Sequence, residues 1–216
     1  MPYADERSEG KEGMILNMKI IGITGSSGSG KSSVCKIIKK IRRAEIIDAD
    51  EIAKELQDNK TTYYEKIVET FGKDILLDNG YINRKKLANI IFSNLVEKEK
   101  LDKLTFKYVV EEIKNRIELL KKQDSNYIVV DAPTLIEAGM LDMFDIIIVV
   151  KSKENNKIDR ICKRDGITIK EAQKRLASQK SDEFYEAYAN FVISNDDEDI
   201  ENKAKEILES IERENN

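Results

Sequence analysis

Residues 18–41 read MKIIGITGSSGSGKSSVCKIIKKI. Met18 to Thr24 is a short apolar run rich in isoleucine, the pattern of a strand buried on both faces. Val34, Ile37, Ile38 and Ile41 then recur at helical spacing. Between the two, Gly25-Ser26-Ser27-Gly28-Ser29-Gly30-Lys31-Ser32 fits G-x-x-x-x-G-K-S/T, with no acidic side chain in it. Small residues let successive backbone N–H groups turn inward around an anionic phosphate, and bulk or negative charge would block that approach. Lys31 then reaches the β and γ oxygens, Ser32 ligates Mg²⁺, and the following helix presents its positive end. A flexible linker would not need a strand directly before it and an amphipathic helix directly after.

Working outward, AEIIDAD (44–50), YIVVDAP (127–133), DIIIVVK (145–151) and NFVISND (190–196) supply four more strand candidates. Helical patterns separate them, so the alternation predicts an α/β fold: a parallel five-stranded sheet flanked by helices. The stretch 51–125 interrupts the alternation and reads as several helices, the longest near 97–122. Leu101, Leu104, Tyr108, Ile113, Ile117 and Leu120 form its apolar stripe. DNGYINR (78–84) reads as a turn within this helical region. The expected organisation is a nucleotide-binding core over 18–60 and 126–216, with a helical insertion over 61–125. Residues 1–17 read as a disordered extension, being polar and acidic and unlike a secretory or transit signal.

Composition narrows the function classes. With 36% charged residues and a net charge of −4, nothing sums to the basic field that nucleic acid or an anionic membrane surface would require. No apolar run approaches the roughly 20 residues needed to cross a bilayer. Cys35 and Cys162 lie far apart and make no C-x-x-C, which suits two buried thiols in a reducing compartment. A cytoplasmic protein is expected. There is no histidine, so acid–base chemistry falls to carboxylates or lysines. The oligomeric state is not legible.

Several side chains stand out as partners for the loop. Asp48 and Asp50, two apart at a strand end, would point to one face, toward the crevice that the carboxyl ends of parallel strands line. An acid there could take a proton from an attacking hydroxyl; equally, Asp50 could simply cap the following helix, EIAKEL, with Asp48 as plain strand-end polarity. Asp131 ends YIVVD, where a carboxylate beside the loop can hold Mg²⁺ or merely end a strand. Arg160 and Arg164 sit four apart in IDRICKRDG, and Arg175 and Gln179 repeat that spacing. Three of the nine arginines thus fall between 160 and 175. A mobile arginine-bearing lid over the phosphates, at about 158–188, is one reading, and a solvated helical hairpin the other.

Taken together, these segments resemble the dephospho-coenzyme A kinase family, a nucleoside-monophosphate-kinase-like branch of the phosphate-loop fold. GITGSSGSGKSSV is similar to that family's nucleotide loop, AEIIDADEIAKEL to its second-strand signature, and YIVVDAPTLIEAGM to its aspartate-proline segment. FGKDILLDNGYINRKKLANIIF resembles its helical substrate-binding region, RICKRDGITIKEAQKRLASQ its lid, and FVISND its last strand. The resemblance implies Mg²⁺-dependent transfer of phosphate from ATP to the ribose 3′-hydroxyl of dephospho-coenzyme A, giving coenzyme A. By position, Asp50 matches the aspartate that activates that hydroxyl, and Gly28, Ser29, Gly30, Lys31, Ser32 and Ser33 the ATP loop. Arg164 and Arg175 match lid arginines, and Arg84 the arginine of the helical region. Thr134 stands where the family has leucine, and Phe106-Lys107 where it often has histidine-proline.

Ser26-Ser27 is closer to uridine kinases, which makes a nucleoside kinase the alternative. Asn156-Lys157-Ile158-Asp159 matches the guanine-reading N-K-x-D of GTP switches. However, it does not follow its strand at once, and Asp131 is followed by Ala132-Pro133-Thr134 rather than by D-x-x-G.

Overall fold

The computed structural model describes residues 18–123, 125–196 and 199–213; the expectation for residues 1–17 lies outside these. The strands are β1 (Lys19–Thr24), β2 (Ala44–Asp48), β3 (Tyr127–Asp131), β4 (Ile146–Lys151) and β5 (Phe191–Ser194). All pairings are parallel, in the order β2-β3-β1-β4-β5. The central strand β1 is thus where successive crossovers switch sides, and the mouth of a doubly wound sheet opens at the carboxyl end of such a strand. The phosphate loop begins there.

Period-two alternation sorts the core into two faces. Ile21, Ile23, Val129, Ile148, Val150 and Ile193 face α1 (Lys31–Ile41) and α9 (Ile200–Arg213), packing on Val34, Ile38 and Leu208. Ile128, Val130, Ile147 and Val149 face the other way, against Ile52 of α2 (Ala49–Asp58) and Val109, Ile113 and Ile117 of α5 (Leu95–Leu120). Alternation puts residue 22 on this second face, and it is glycine because Leu135 and Phe144 cover it: a Cβ there would come within 2.6 Å of Leu135 Cδ1 and 2.9 Å of Phe144 Cγ.

Every strand is shorter than its sequence limits, most visibly β2, β5 and β3, which ends at Asp131 rather than at residue 133. β2 stops at Asp48 rather than at residue 50 because the Asp48 side chain caps α2, accepting a hydrogen bond from Glu51 N–H at 3.0 Å. Asp50 therefore stands on the first turn of a helix, not on a strand end. β5 is likewise trimmed from 190–196 to four residues.

Between β2 and β3 the chain is helical, with α3 (Thr62–Phe71) and α4 (Arg84–Ser93) preceding the 26-residue α5. The turn at 78–80 is closed by a single antiparallel bridge, Leu76 to Ile82. The α5 stripe divides its work. Leu101, Leu104 and Tyr108 cover a separate small core of Tyr63, Ile67, Ile75, Ile82 and Leu87, while Ile113, Ile117 and Leu120 cover the sheet. One long helix thus braces the helical insertion onto the nucleotide core. After β4 come α6 (Glu154–Asp165), α7 (Ile169–Ala177) and α8 (Asp182–Glu186). Gly166, at φ 65°, ends α6, and a Thr168–Glu171 capping box starts α7, so the hairpin between them is set by local chemistry. Cys35 is buried as expected, but Cys162 is only half-buried at the edge of this hairpin.

Candidate active site

A cavity of about 720 Å³ opens at the carboxyl end of β1. Its walls are loop residues Ser27, Gly28, Gly30, Lys31, Ser32 and Ser33, the acids Asp48, Asp50 and Asp131, and a basic side made by Arg160, Lys163, Arg164 and Arg175, with Gln179. The sheet topology thus gathers almost every sequence candidate into one place.

The loop holds its shape through backbone that glycine alone adopts easily. Gly28 (φ 76°) and Gly30 (φ 96°) are left-handed, and each is also pressed from outside. A Cβ on Gly28 would lie 2.5 Å from the Lys157 carbonyl oxygen, and one on Gly30 1.7 Å from Asn195 Nδ2. Asn195 Nδ2 donates to Ser29 O at 2.9 Å, and Ser29 N–H donates to Ser26 O at 3.2 Å. Ser29 is fully buried, and its hydroxyl finds no partner among the described residues. Ser33 stands in the first turn of α1, its N–H donating to Gly30 O at 3.0 Å.

Lys31 is 8% exposed, and its Nζ donates to Gly25 O at 2.9 Å and Ser26 O at 3.3 Å. Burial holds its ammonium below the usual lysine range, against the opposing pull of Asp131 and then Asp50. Ser32 Oγ donates to Asp131 Oδ2 at 2.8 Å, while Asp131 Oδ1 is buried with no partner among the described residues. Burial pushes the Asp131 carboxyl above its usual range, with Lys31 and the Ser32 bond pulling it back. Asp50 is raised too, first by restricted hydration and then by Asp48. By accessible surface Asp50 is exposed. The two observations meet in a side chain open to the cavity whose walls keep bulk water at a distance, so the direction holds and its energy is small.

The arginines separate into two kinds. Arg160 Nη1 donates to the carbonyls of Gly28 (3.1 Å) and Ser29 (3.2 Å) and to Ser152 Oγ (2.9 Å), and its Nη2 donates to Asn195 O at 3.0 Å. It clamps the loop from behind. Arg164 and Arg175 instead share the carboxylate of Asp165 and keep further N–H groups toward the cavity. Gln179 stands just beyond α7, and its Oε1 accepts from Ser27 N–H at 2.9 Å.

Arg84 is not in this cavity. It opens α4 and bonds Asp58 Oδ1 at 2.8 Å, Gln57 Oε1 at 3.3 Å and Lys54 O at 3.4 Å. All three lie toward the far end of α2, the helix whose first turn carries Asp50. Eight residues of helix set Asp58 about 12 Å from Asp50 along the axis.

Sequence reading missed the second ring of groups. Lys157 Nζ donates to both oxygens of Asp182 (2.8 and 2.7 Å), and Ser26 Oγ donates to Asp182 Oδ1 at 3.1 Å. Asn156 Nδ2 donates to Asp196 Oδ1 at 2.7 Å. The N-K-x-D match is therefore used to brace the loop and the β5 end. Asn195 was findable, since it follows β5 at the carboxyl edge of the sheet. Asp182 carried no sequence signal.

Comparison with known proteins adds the deciding observation: residues 19–201 match the family model described as dephospho-CoA kinase. The chain belongs to the dephospho-CoA kinase family. A dephospho-CoA kinase of Carboxydothermus hydrogenoformans is 36% identical over 199 residues, covering 92% of this chain and 96% of that protein. One from Fusobacterium nucleatum is 37% identical over 198 residues, 91% of this chain and 100% of that protein. The solved structure of a dephospho-CoA kinase from Campylobacter jejuni superposes with a TM-score of 0.64 at 27% identity, covering 91% and 98% of the two chains. These matches do not favour the uridine-kinase reading of Ser26-Ser27. Membership in the dephospho-CoA kinase family makes the chain an ATP-dependent kinase with a phosphate-loop fold. Among the described residues, no helix is long and apolar enough to cross a membrane.

Proposed function

We infer that the chain transfers the γ-phosphoryl group of ATP to the ribose 3′-hydroxyl of dephospho-coenzyme A, forming coenzyme A and ADP. The observation that carries this reading is the single cavity in which a phosphate loop, a strand-end carboxylate and Asp50 face Arg164 and Arg175.

Backbone N–H groups of the loop between Gly28 and Ser32, other than the one Ser29 gives to Ser26 O, and the positive end of α1 receive the phosphates. Lys31 exchanges its bonds to loop carbonyls for charge-assisted bonds to β and γ oxygens. Asp50 accepts the proton as O3′ bonds to the γ-phosphorus and the bond from that phosphorus to the β–γ bridging oxygen breaks. Its raised pKa makes it a stronger base than an ordinary aspartate. Arg164 and Arg175 stabilise charge on the transferring group, and α6 to α8 act as a lid that excludes water. Arg84, the α3–α5 insertion and the α2 face it packs on receive the acceptor, a molecule long enough to reach from Asp50 toward the far end of α2.

Mg²⁺ fits beside Ser32 and Asp131, where the orphaned buried oxygen Oδ1 of Asp131 provides a ready acceptor. When bound it would neutralise phosphate charge, the phosphates and water completing its shell. Among the described residues no cluster of three His, Cys, Asp or Glu side chains forms a cage for a cation, and a nucleotide-bound ion needs none. A cytoplasmic site of action accords with this role. Purified protein incubated with ATP, Mg²⁺ and dephospho-coenzyme A should yield coenzyme A. Phosphorylation of uridine in its place would refute the reading.

A further inference from the structure

Arg164 and Arg175 approach the cavity from two different helices, and one carboxylate joins them. Asp165 accepts from Arg164 Nε at 2.8 Å, from Arg164 Nη2 at 3.0 Å and from Arg175 Nη1. Its own side chain does not line the cavity. It sits behind the two guanidiniums as a hinge pin sits behind two leaves.

Nothing about helix α6 calls for an acid at this place. Asp165 is the last helical residue, at the negative end of the helix dipole, where the same turn carries Lys163 and Arg164. The turn that follows is closed by Gly166 and by the Thr168–Glu171 box, neither of which uses Asp165. The carboxylate does answer a need of the arginines. Two guanidiniums aimed at one polyphosphate repel each other, and each long side chain must give up rotamer freedom to stay aimed. Asp165 offsets the repulsion and fixes both planes, leaving the three groups with one net positive charge toward the cavity. Only the Arg164 arm reaches the phosphate loop directly; on the α7 side, Gln179 makes the contact. Arg164 Nη2 approaches Ser27 Oγ at 3.5 Å, and Gln179, four residues beyond Arg175, holds Ser27 N–H.

We propose that Asp165 is a positioning residue for phosphoryl transfer, holding Arg164 and Arg175 as one two-armed cation at the wall of the cavity, with the Arg164 arm beside Ser27 of the phosphate loop. The proposal rests on the kinase reading of this cavity. It separates two effects that a structural role would couple. Asp165→Asn keeps the shape but adds one net positive charge, so ground-state attraction for ATP is kept or strengthened. The arginines lose their common orientation, which matters most in the transition state.

The test combines equilibrium ATP titration without acceptor, steady-state kinetics and thermal unfolding. Asp165→Asn should bind ATP at least as tightly as wild type, melt slightly lower at neutral pH, where the ionised carboxylate paired with Arg164 and Arg175 contributes to the fold, and lose about tenfold or more in kcat. Asp165→Glu, which restores the charge one methylene further out, should recover part of that loss. In an Arg164→Ala/Arg175→Ala background, Asp165→Asn should change kcat and ATP affinity less than about twofold. A kcat within about twofold of wild type would overturn the proposal. So would an undiminished loss in the double-arginine background, or weaker ATP binding. Should wild type fail to phosphorylate dephospho-coenzyme A, the functional reading falls. The ATP titrations would still report whether Asp165 organises the arginines around phosphate.

Discussion

The Lys157–Asp182 pair offers a sharp test of how the phosphate loop is held, because its two members stand in different solvent. The Lys157 side chain is 9% exposed and that of Asp182 28%. Lys157→Met keeps the backbone contact with Gly28 and a stem of similar length, and leaves Asp182 with Ser26 Oγ and some water. That change should cost about 1–2 kcal/mol, the scale of one charged hydrogen bond with a partly hydrated remainder. Asp182→Asn instead strands an ammonium in a nearly dry site with only a neutral oxygen nearby, and should cost about 2–4 kcal/mol. The double variant removes both charges, so its cost should fall short of the sum by about 1–3 kcal/mol. Urea unfolding at neutral pH reads all three from the midpoint, given an unchanged slope. Since Asp182 also holds the Ser26 hydroxyl, ATP binding should weaken most in Asp182→Asn. A larger cost for Lys157→Met than for Asp182→Asn, or additivity within about 0.5 kcal/mol, would refute this account of the buried pair.

Asp50→Asn should cut turnover by about 10²–10⁴-fold with ATP affinity largely kept; near-normal turnover would return Asp50 to a helix-start role. Because the folded protein raises the Asp50 pKa, ionising it costs the fold a little at neutral pH and nothing once both states are protonated. Asp50→Asn should therefore be at least as stable as wild type at neutral pH, with any gain closing as pH falls toward about 4. In wild type the acid limb of kcat/KM should lie above the ordinary aspartate range, and an acid limb at about 4 would remove Asp50 as the base. For Arg84→Ala, the Asp58 pair is exposed (47% and 55%), so stability should change by less than about 1 kcal/mol. The KM for dephospho-coenzyme A should rise while the KM for ATP stays put; an unchanged acceptor KM would leave Arg84 as a surface brace between α2 and α4.

Much of this molecule was legible in one dimension because its signals are local. A phosphate loop works through backbone, so its glycines, lysine and serine must be contiguous, and the motif announces itself. Strands buried on both faces read as continuous apolar runs, and their alternation with helices prescribes a parallel sheet whose carboxyl edge is the site. Asp131 was found by that logic. At Asp50 the same logic left strand end and helix start both open. Strand and helix compete for residues 48–50, and the Asp48 cap, a three-residue interaction, decides in favour of the helix.

What the chain could not reveal in sequence is which polar group meets which. Arg160 and Arg164 share a helix face by spacing, and only the family resemblance singled out Arg164. Only the approach of Asn195 and the loop carbonyls makes the first a clamp and leaves the second facing the cavity. Lys157 and Asp182 are twenty-five positions apart, and Ser26 and Asp182 a hundred and fifty-six. Contacts over such separations are set by how α6 to α8 pack over the loop, not by any periodicity. The sequence by itself determined the nucleotide chemistry and the sheet that carries it, since both follow from short-range steric and hydrophobic rules. The tertiary structure alone decided which charges are paired, buried or aimed at the cavity, because desolvation and pairing depend on neighbours that only folding brings together.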